Sequence, residues 1–212
     1  MYISHIKHEY ENFILDVSDL RLENNSIIGL VGENGAGKST LMSLLAGYKK
    51  ANREFNVTDF EFEDVVFVPT DVELYEYLTV GEFIRFCIKY SDSSKNIKEI
   101  LASLDMLDKE NSIIDSLSQG MKKKLTLIPI FISKYKYIIL DEPFNSIDLN
   151  YIYKLKEFLE REKTNATILI SSHILDTLAD LCDSIVLLEK GSIKKYITNI
   201  GCIEELEREI FE

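Results

Sequence analysis

Cysteine is scarce in this 212-residue sequence: there are three, Cys87, Cys182 and Cys202, odd in number and widely spaced. That excludes a disulfide-built scaffold and a cysteine metal site, and reads as buried or free thiols of a reducing compartment. Positive charge is also short. Lysine and arginine total 24 against 36 aspartates and glutamates, a formal net charge of −12. Such a balance disfavours binding along a nucleic-acid backbone, so no nucleic-acid partner is expected. The one conspicuous basic cluster, Lys122-Lys123-Lys124, reads as a solvated helix face. Long apolar runs are missing: Leu125 to Ile132 is among the longest, against the ~20 residues needed to cross a bilayer. The N-terminus, Met1-Tyr2-Ile3-Ser4-His5, lacks the basic and apolar segments of a secretory signal. Any work at a membrane is therefore expected to pass through a partner. Internal repeats, low-complexity stretches and linkers are absent as well.

What is present centres on Gly32-Glu33-Asn34-Gly35-Ala36-Gly37-Lys38-Ser39-Thr40, between an apolar run, Ile27 to Val31, and a helix-like segment, Leu41 to Gly47. Strand, glycine-rich turn and helix is the context of a phosphate-binding P-loop. Glycines let the backbone curl so that successive N–H groups point at phosphate oxygens. The helix N-terminus adds about half a unit of positive charge. Lys38 supplies a full charge to the outer phosphates, and the Ser39 hydroxyl can ligate Mg²⁺. A hydrophobic fraction of 46% and a charged fraction of 28% suit one soluble α/β domain of this length, with room for an inserted subdomain.

Along the chain, alternation from Met1 to Leu22 predicts two short antiparallel strands, with Tyr10 in the polar stretch between them. Tyr10 reads equally as a turn packing residue or as a platform for a flat base. Ala51 to Asp64 reads as irregular. Val65 to Val68 is a short apolar strand that Pro69 ends. Thr79-Val80-Gly81-Glu82 is a capping box that starts a helix to about Tyr90. Further helices are expected from Ser94 to Met106 and from Ser118 to about Ser133, so residues 71–134 read as a helical subdomain. The core, 1–70 and 135–212, resumes with a strand, Tyr137 to Leu140, ending in Asp141-Glu142. It continues with a helix over 149–163, a strand Thr167 to Ile170, and Ser171-Ser172-His173 opening a helix to about Cys182. Strands Ser184 to Leu188 and Ser192 to Ile197 flank a Lys190-Gly191 turn, and Cys202 to Glu212 reads as a short acidic helix. The fold class expected is α/β: a P-loop NTPase core of mixed or parallel sheet with flanking helices, N-terminal antiparallel strands and an inserted helical subdomain.

Ligands of open α/β sheets bind at the C-terminal ends of strands. The P-loop, Asp141-Glu142 and His173 each follow an apolar strand and are expected to share one crevice. There Asp141 is placed to hold Mg²⁺ through water and Glu142 to deprotonate an attacking water.

These residues resemble the nucleotide-binding subunit of an ATP-binding cassette (ABC) transporter, over Tyr10 to about Ile193. Gly32 to Thr40 resembles Walker A, and Tyr137 to Glu142 resembles Walker B with its catalytic glutamate. Leu117-Ser118-Gln119-Gly120-Met121 resembles the LSGGQ signature. Asn145-Ser146-Ile147-Asp148 resembles the D-loop, and His173 the switch histidine. Tyr10 falls where the family places its adenine-stacking aromatic. Gln119 and Met121 depart from the signature. Thr70 replaces the glutamine that usually follows the strand ending at Pro69, and either a bridging water or Asp71 would complete its contact with Mg²⁺.

The resemblance implies ATP and Mg²⁺ as ligands and a homodimer or heterodimer of nucleotide-binding subunits. In that pair Ser118 and Gly120 of one chain would cover the phosphates on the other, and Asp148 would couple the sites. It also implies a separate transmembrane permease, with this chain in the cytoplasm at the inner face of the membrane. The stretch Leu74-Tyr75-Glu76-Tyr77-Leu78 resembles exporter-type cassettes. A soluble non-transport cassette ATPase and a weakly hydrolysing regulatory or immunity subunit are the alternatives.

Overall fold

The computed structural model describes residues 1–91, 93–198 and 203–211. Cys202 and Glu212, the expected ends of the tail helix, lie outside them. Strands β1 (Tyr2–Tyr10) and β2 (Phe13–Arg21) form an antiparallel hairpin in which Tyr10 faces Phe13 across the turn. Each is longer than expected, and Tyr10 ends β1 instead of sitting between strands. Strand β3 (Ile27–Val31) feeds the P-loop and helix α1 (Lys38–Leu45).

The segment expected to be irregular contains β4 (Glu54–Thr58), which pairs antiparallel with β1 to give the sheet order β2-β1-β4. Only Phe55 and Val57 face inward there, while Glu54, Asn56 and Thr58 are exposed. An edge strand with two apolar residues carries too weak an alternation to be read locally.

Strand β5 (Val65–Val68) is followed by a helix-free stretch over 71–79, so the helical region begins later than expected. That stretch is held by backbone bonds, Leu78 N–H to the Tyr75 carbonyl and Asp115 N–H to the Glu76 carbonyl. Helix α2 (Val80–Lys89) starts at the predicted box: Thr79 and Glu82 cap each other reciprocally. Helix α3 (Ile97–Ser103) is shorter than its periodicity suggested. The long helix expected after Ser118 is split into α4 (Gln119–Thr126) and α5 (Ile128–Ile132), with Pro129 in the first turn of the second. Proline lacks the N–H and fits only a first turn, so the break falls there.

The remaining elements are β6 (Tyr137–Asp141), α6 (Leu149–Glu162), β7 (Thr167–Ser171), α7 (Leu175–Leu181), β8 (Ser184–Glu189), β9 (Ser192–Thr198) and α8 (Ile203–Phe211). The central sheet has the order β5-β6-β7-β3-β8-β9, parallel except for β9.

Successive residues of its strands point to opposite faces. Ile28, Leu30, Ile139, Leu169 and Val186 pack with α1 and the antiparallel sheet. Ile27, Val31, Ile138, Leu140, Ile168 and Ile170 pack on the other side, in a cluster continuous with Ile84, Leu101 and Leu125 of the helices. Burial on both faces explains why β3, β6 and β7 are unbroken apolar runs.

Among the described residues Cys87 and Cys182 are free thiols, and burial pushes Cys87 up to about 11 and Cys182 upward as well. Among the described residues no helix is long and apolar enough to cross a membrane.

Candidate functional site

The C-terminal ends of β5, β6, β7 and β3 lie side by side, because these four strands are adjacent and parallel. Sequence-distant groups therefore meet at one edge: Thr70, Asp141-Glu142, Ser171 to His173, and the P-loop.

The P-loop is shaped by Gly37, the N-cap of α1, at φ 108°. A Cβ on Gly37 would stand 2.8 Å from the Phe13 ring, so both conformation and space require glycine. The Lys38 Nζ lies over the loop, donating to the Gly32 carbonyl at 2.6 Å and to the Glu33 carbonyl at 3.2 Å. A second glycine buttresses the loop from behind. Gly191, at φ 84° in the β8–β9 turn, donates to the Ala36 carbonyl and accepts from Asp16 N–H. A Cβ there would stand 1.9 Å from the Ile14 carbonyl oxygen. The Lys190-Gly191 turn expected from sequence thus also locks the P-loop against β2.

Asp141 is 2% exposed, and one carboxylate oxygen accepts from the Ser171 hydroxyl at 2.5 Å. The same hydroxyl oxygen accepts from the Glu142 N–H at 2.9 Å. Glu142 has φ 51°, a left-handed backbone uncommon for a non-glycine residue. Its carboxylate meets His173 Nδ1 at 3.0 Å. The Thr70 hydroxyl donates to the Asp141 carbonyl at 3.4 Å.

The donors available to a Mg²⁺ carried by ATP are hard oxygens: the Ser39 and Thr70 hydroxyls and the Asp141 carboxylate. Among the described residues no group of three or more His, Cys, Asp or Glu side chains is gathered to hold a metal. That set fits Mg²⁺, which takes one or two carboxylates and relies on water and phosphate for the rest.

Beside the P-loop a cleft of about 720 Å³ is lined by Tyr10, Asn12, Phe13, Asn34, Gly35 and Lys190. Lys49 donates to the Tyr10 hydroxyl at 2.6 Å, and its Nζ stands 4.9 Å from the ring centre, so it lies off the hydroxyl edge rather than over the ring face. Tyr10 is 41% exposed and lines the cleft. Replacing Tyr10 with alanine is expected to weaken ATP binding by about 1–3 kcal/mol, the usual range for a base on an aromatic platform. Equal affinity for adenine and guanine nucleotides before and after the change would remove the platform role.

The signature residues point elsewhere. Ser118 caps α4 by accepting from Met121 N–H, and a Cβ on Gly120 would meet the Ser146 carbonyl at 2.6 Å. Asp148 caps α6 through Tyr151 N–H and binds Lys124 at 2.9 Å. That hydrogen bond from Lys124 holds the Asp148 carboxyl below its ordinary range.

The Lys122-Lys123-Lys124 run is not the solvated face expected of it. A helix turns 100° per residue, so consecutive side chains leave in three directions. Lys122 binds Glu76 at 2.6 Å, Lys123 binds the Thr70 carbonyl at 3.1 Å, and Lys124 binds Asp148 with 8% of its side chain exposed. Burial pulls Lys123 below its ordinary value, opposed by Asp141, Asp71 and Glu142. Sequence reasoning also missed Ser171. Its pairing opposite Asp141 is a matter of strand register, which no local signal carries.

A family model described as ABC transporter matches residues 15–145, more than half of the chain. The chain belongs to the ABC transporter family as its ATP-binding domain. An uncharacterized ABC transporter ATP-binding protein, YthP of Bacillus subtilis (strain 168), is 30% identical over 183 residues, covering 82% of this chain and 75% of that protein. The tungstate uptake system ATP-binding protein TupC of Peptoclostridium acidaminophilum is 30% identical over 204 residues, covering 90% and 95%. A solved structure of the ATP-binding subunit of an ABC transporter superposes with a TM-score of 0.86 at 26% identity, covering 100% of this chain and 99% of that one. The α/β P-loop NTPase fold expected for this cassette is therefore the fold it has. Membership carries ATP binding and, as a family property, Mg²⁺-dependent ATP hydrolysis.

Proposed function

We propose that this cassette hydrolyses ATP to power transport through a separate membrane permease, acting as one of a pair of nucleotide-binding subunits. The observation that carries the reading is the meeting of the P-loop, Asp141, Glu142 and His173 on three adjacent strand ends, with His173 bonded to Glu142 at 3.0 Å.

In this reading Tyr10 stacks the adenine. Gly32, Asn34, Gly35, Ala36, Gly37 and Thr40 cradle the phosphates, and Lys38 neutralises the outer ones. Ser39 and Asp141 hold the Mg²⁺ that accompanies ATP and offsets its phosphate charge, with Thr70 beside them. Glu142 takes a proton from water as the water oxygen attacks the γ-phosphorus. The bond to the β-phosphate oxygen breaks, and ADP and phosphate leave. His173 holds the Glu142 carboxylate in place. Residues 71–134, a helix-free stretch to Thr79 followed by helices α2 to α5, act as the subdomain that carries the signature within a single cassette over 1–212.

One chain leaves the outer side of the γ-phosphate to be covered by Ser118 and Gly120 of a second, with Asp148 between the two sites. That second subunit is an identical copy or a related cassette. The cassette works in the cytoplasm at the inner membrane face through its permease. No nucleic-acid partner is proposed, since the charge is −12 and the lysines of the basic run are paired. Export is the proposed direction, resting on Leu74 to Leu78 alone, although TupC belongs to an uptake system by name. A solved structure of RNase-L Inhibitor, at 20% identity and a TM-score of 0.77, shares the fold only.

Size exclusion with light scattering tests the paired arrangement. The chain is expected to be monomeric with ADP and dimeric with a non-hydrolysable ATP analogue. Ser118→Arg is expected to stay monomeric in both, because its bulk and charge would occupy the opposing phosphate site. A Ser118→Arg protein that dimerises normally would remove the signature from the interface.

A further inference from the structure

The basic run holds one group that the reading above does not use. Lys123 leaves α4 on the side facing the sheet and donates to the Thr70 carbonyl at 3.1 Å. Its flanking lysines are committed elsewhere, to Glu76 and to Asp148. Thr70 in turn donates from its hydroxyl to the Asp141 carbonyl at 3.4 Å. A chain of two hydrogen bonds therefore runs from the signature helix, through the end of β5, to the strand end that carries Asp141 and Glu142. The carboxylates that act on the Lys123 charge are Asp141, Asp71 and Glu142, in that order. Lys123 also lines a cleft of about 1040 Å³ together with Thr70, Asp71, Gln119, Asn145 and Ser146.

We propose that Lys123 is a positioning residue for ATP hydrolysis, tying helix α4 to the loop after β5 and so fixing the Asp141-Glu142 end of β6. The proposal rests on the assignment of Glu142 as proton acceptor. Three carboxylates at one edge repel each other. A nearby ammonium offsets that repulsion while the tether sets the spacing. Thr70 is too short to span the cleft, so the reach is supplied from the opposite wall, by the lysine. Closing or opening the cleft would move the Thr70 carbonyl with α4, passing the position of the signature to the carboxylate pair. In this proposal Lys123 is given no contact with the attacking water or the phosphates. It acts through Thr70.

The test compares Lys123→Gln and Lys123→Arg with the unmodified chain. For each, kcat, equilibrium affinity for ATP, affinity for ADP with orthovanadate, and melting temperature are measured. The vanadate complex mimics the transferring phosphoryl group and reports transition-state geometry without turnover. Lys123→Gln is expected to lose about 10–100-fold in kcat, the usual cost of disturbing a group that supports a reacting site. Vanadate-trapped ADP should weaken by a similar factor, while ATP affinity stays within about twofold, because ground-state binding does not use the tether. Lys123→Arg, which keeps charge and donors, is expected to restore most of both losses.

Unchanged kcat in Lys123→Gln overturns the proposal. So does a parallel loss of ATP affinity, vanadate affinity and melting temperature, which is the pattern of a purely structural lysine. An arginine variant no better than glutamine overturns it as well. ATP binding without turnover in the unmodified chain overturns the reading of Glu142 itself, before any lysine variant is made.

Discussion

The Glu142→Gln protein is expected to bind ATP, leave it unhydrolysed and run as a dimer. Glutamine keeps the size of the side chain and can still meet His173 Nδ1, which lies 3.0 Å from the native carboxylate. It removes the basicity, and positioned proton acceptors contribute about 10²–10⁴-fold to rate. It also removes one negative charge near the γ-phosphate, which favours retention of ATP. The backbone cost of the left-handed Glu142, at φ 51°, is common to both residues and so does not separate them. The free chain carries a net charge of −12 and resists close approach to a copy until nucleotide bridges the two faces. Light scattering should therefore show monomer without nucleotide, dimer with ATP and monomer again with ADP. Wild-type turnover in this variant would take Glu142 out of the mechanism. Failure to dimerise, even with the membrane partner present, would end the paired-site model.

Lys38→Ala is expected to abolish tight MgATP binding. Lys38 is the full positive charge that this loop brings to the outer phosphates, and it already lies over the loop on the Gly32 and Glu33 carbonyls. Losing one partner of a desolvated, charge-assisted contact costs about 2–5 kcal/mol, or roughly 30- to 4,000-fold in affinity. The fold should survive. Helix α1 is held by Leu41, Met42, Leu44 and Leu45, all fully buried, and by the Gly191 N–H bond to the Ala36 carbonyl. Equilibrium ATP titration, with melting temperature as a control for folding, decides the matter. Unchanged affinity would end the P-loop assignment.

The P-loop, the capping box at Thr79, the apolar runs of β3, β6 and β7 and the Lys190-Gly191 turn were all legible in the sequence. Each depends on neighbours a few residues away: a glycine supplies a positive φ, a hydroxyl caps its own helix, and a doubly buried strand is apolar throughout. The rule that ligands gather at strand ends also brought Asp141, Glu142 and His173 together correctly.

What local reasoning could not supply was decided by contacts between distant segments. Strand β4 exists because β1 offers it an edge; its own five residues alternate too weakly to announce it. Ser171 holds Asp141 because β6 and β7 pair in that register, a choice set by the whole sheet. The basic run looked like a solvated face because composition reports charge and not direction. Only the packing of α4 against the sheet end and α6 sends Lys123 to Thr70 and Lys124 to Asp148.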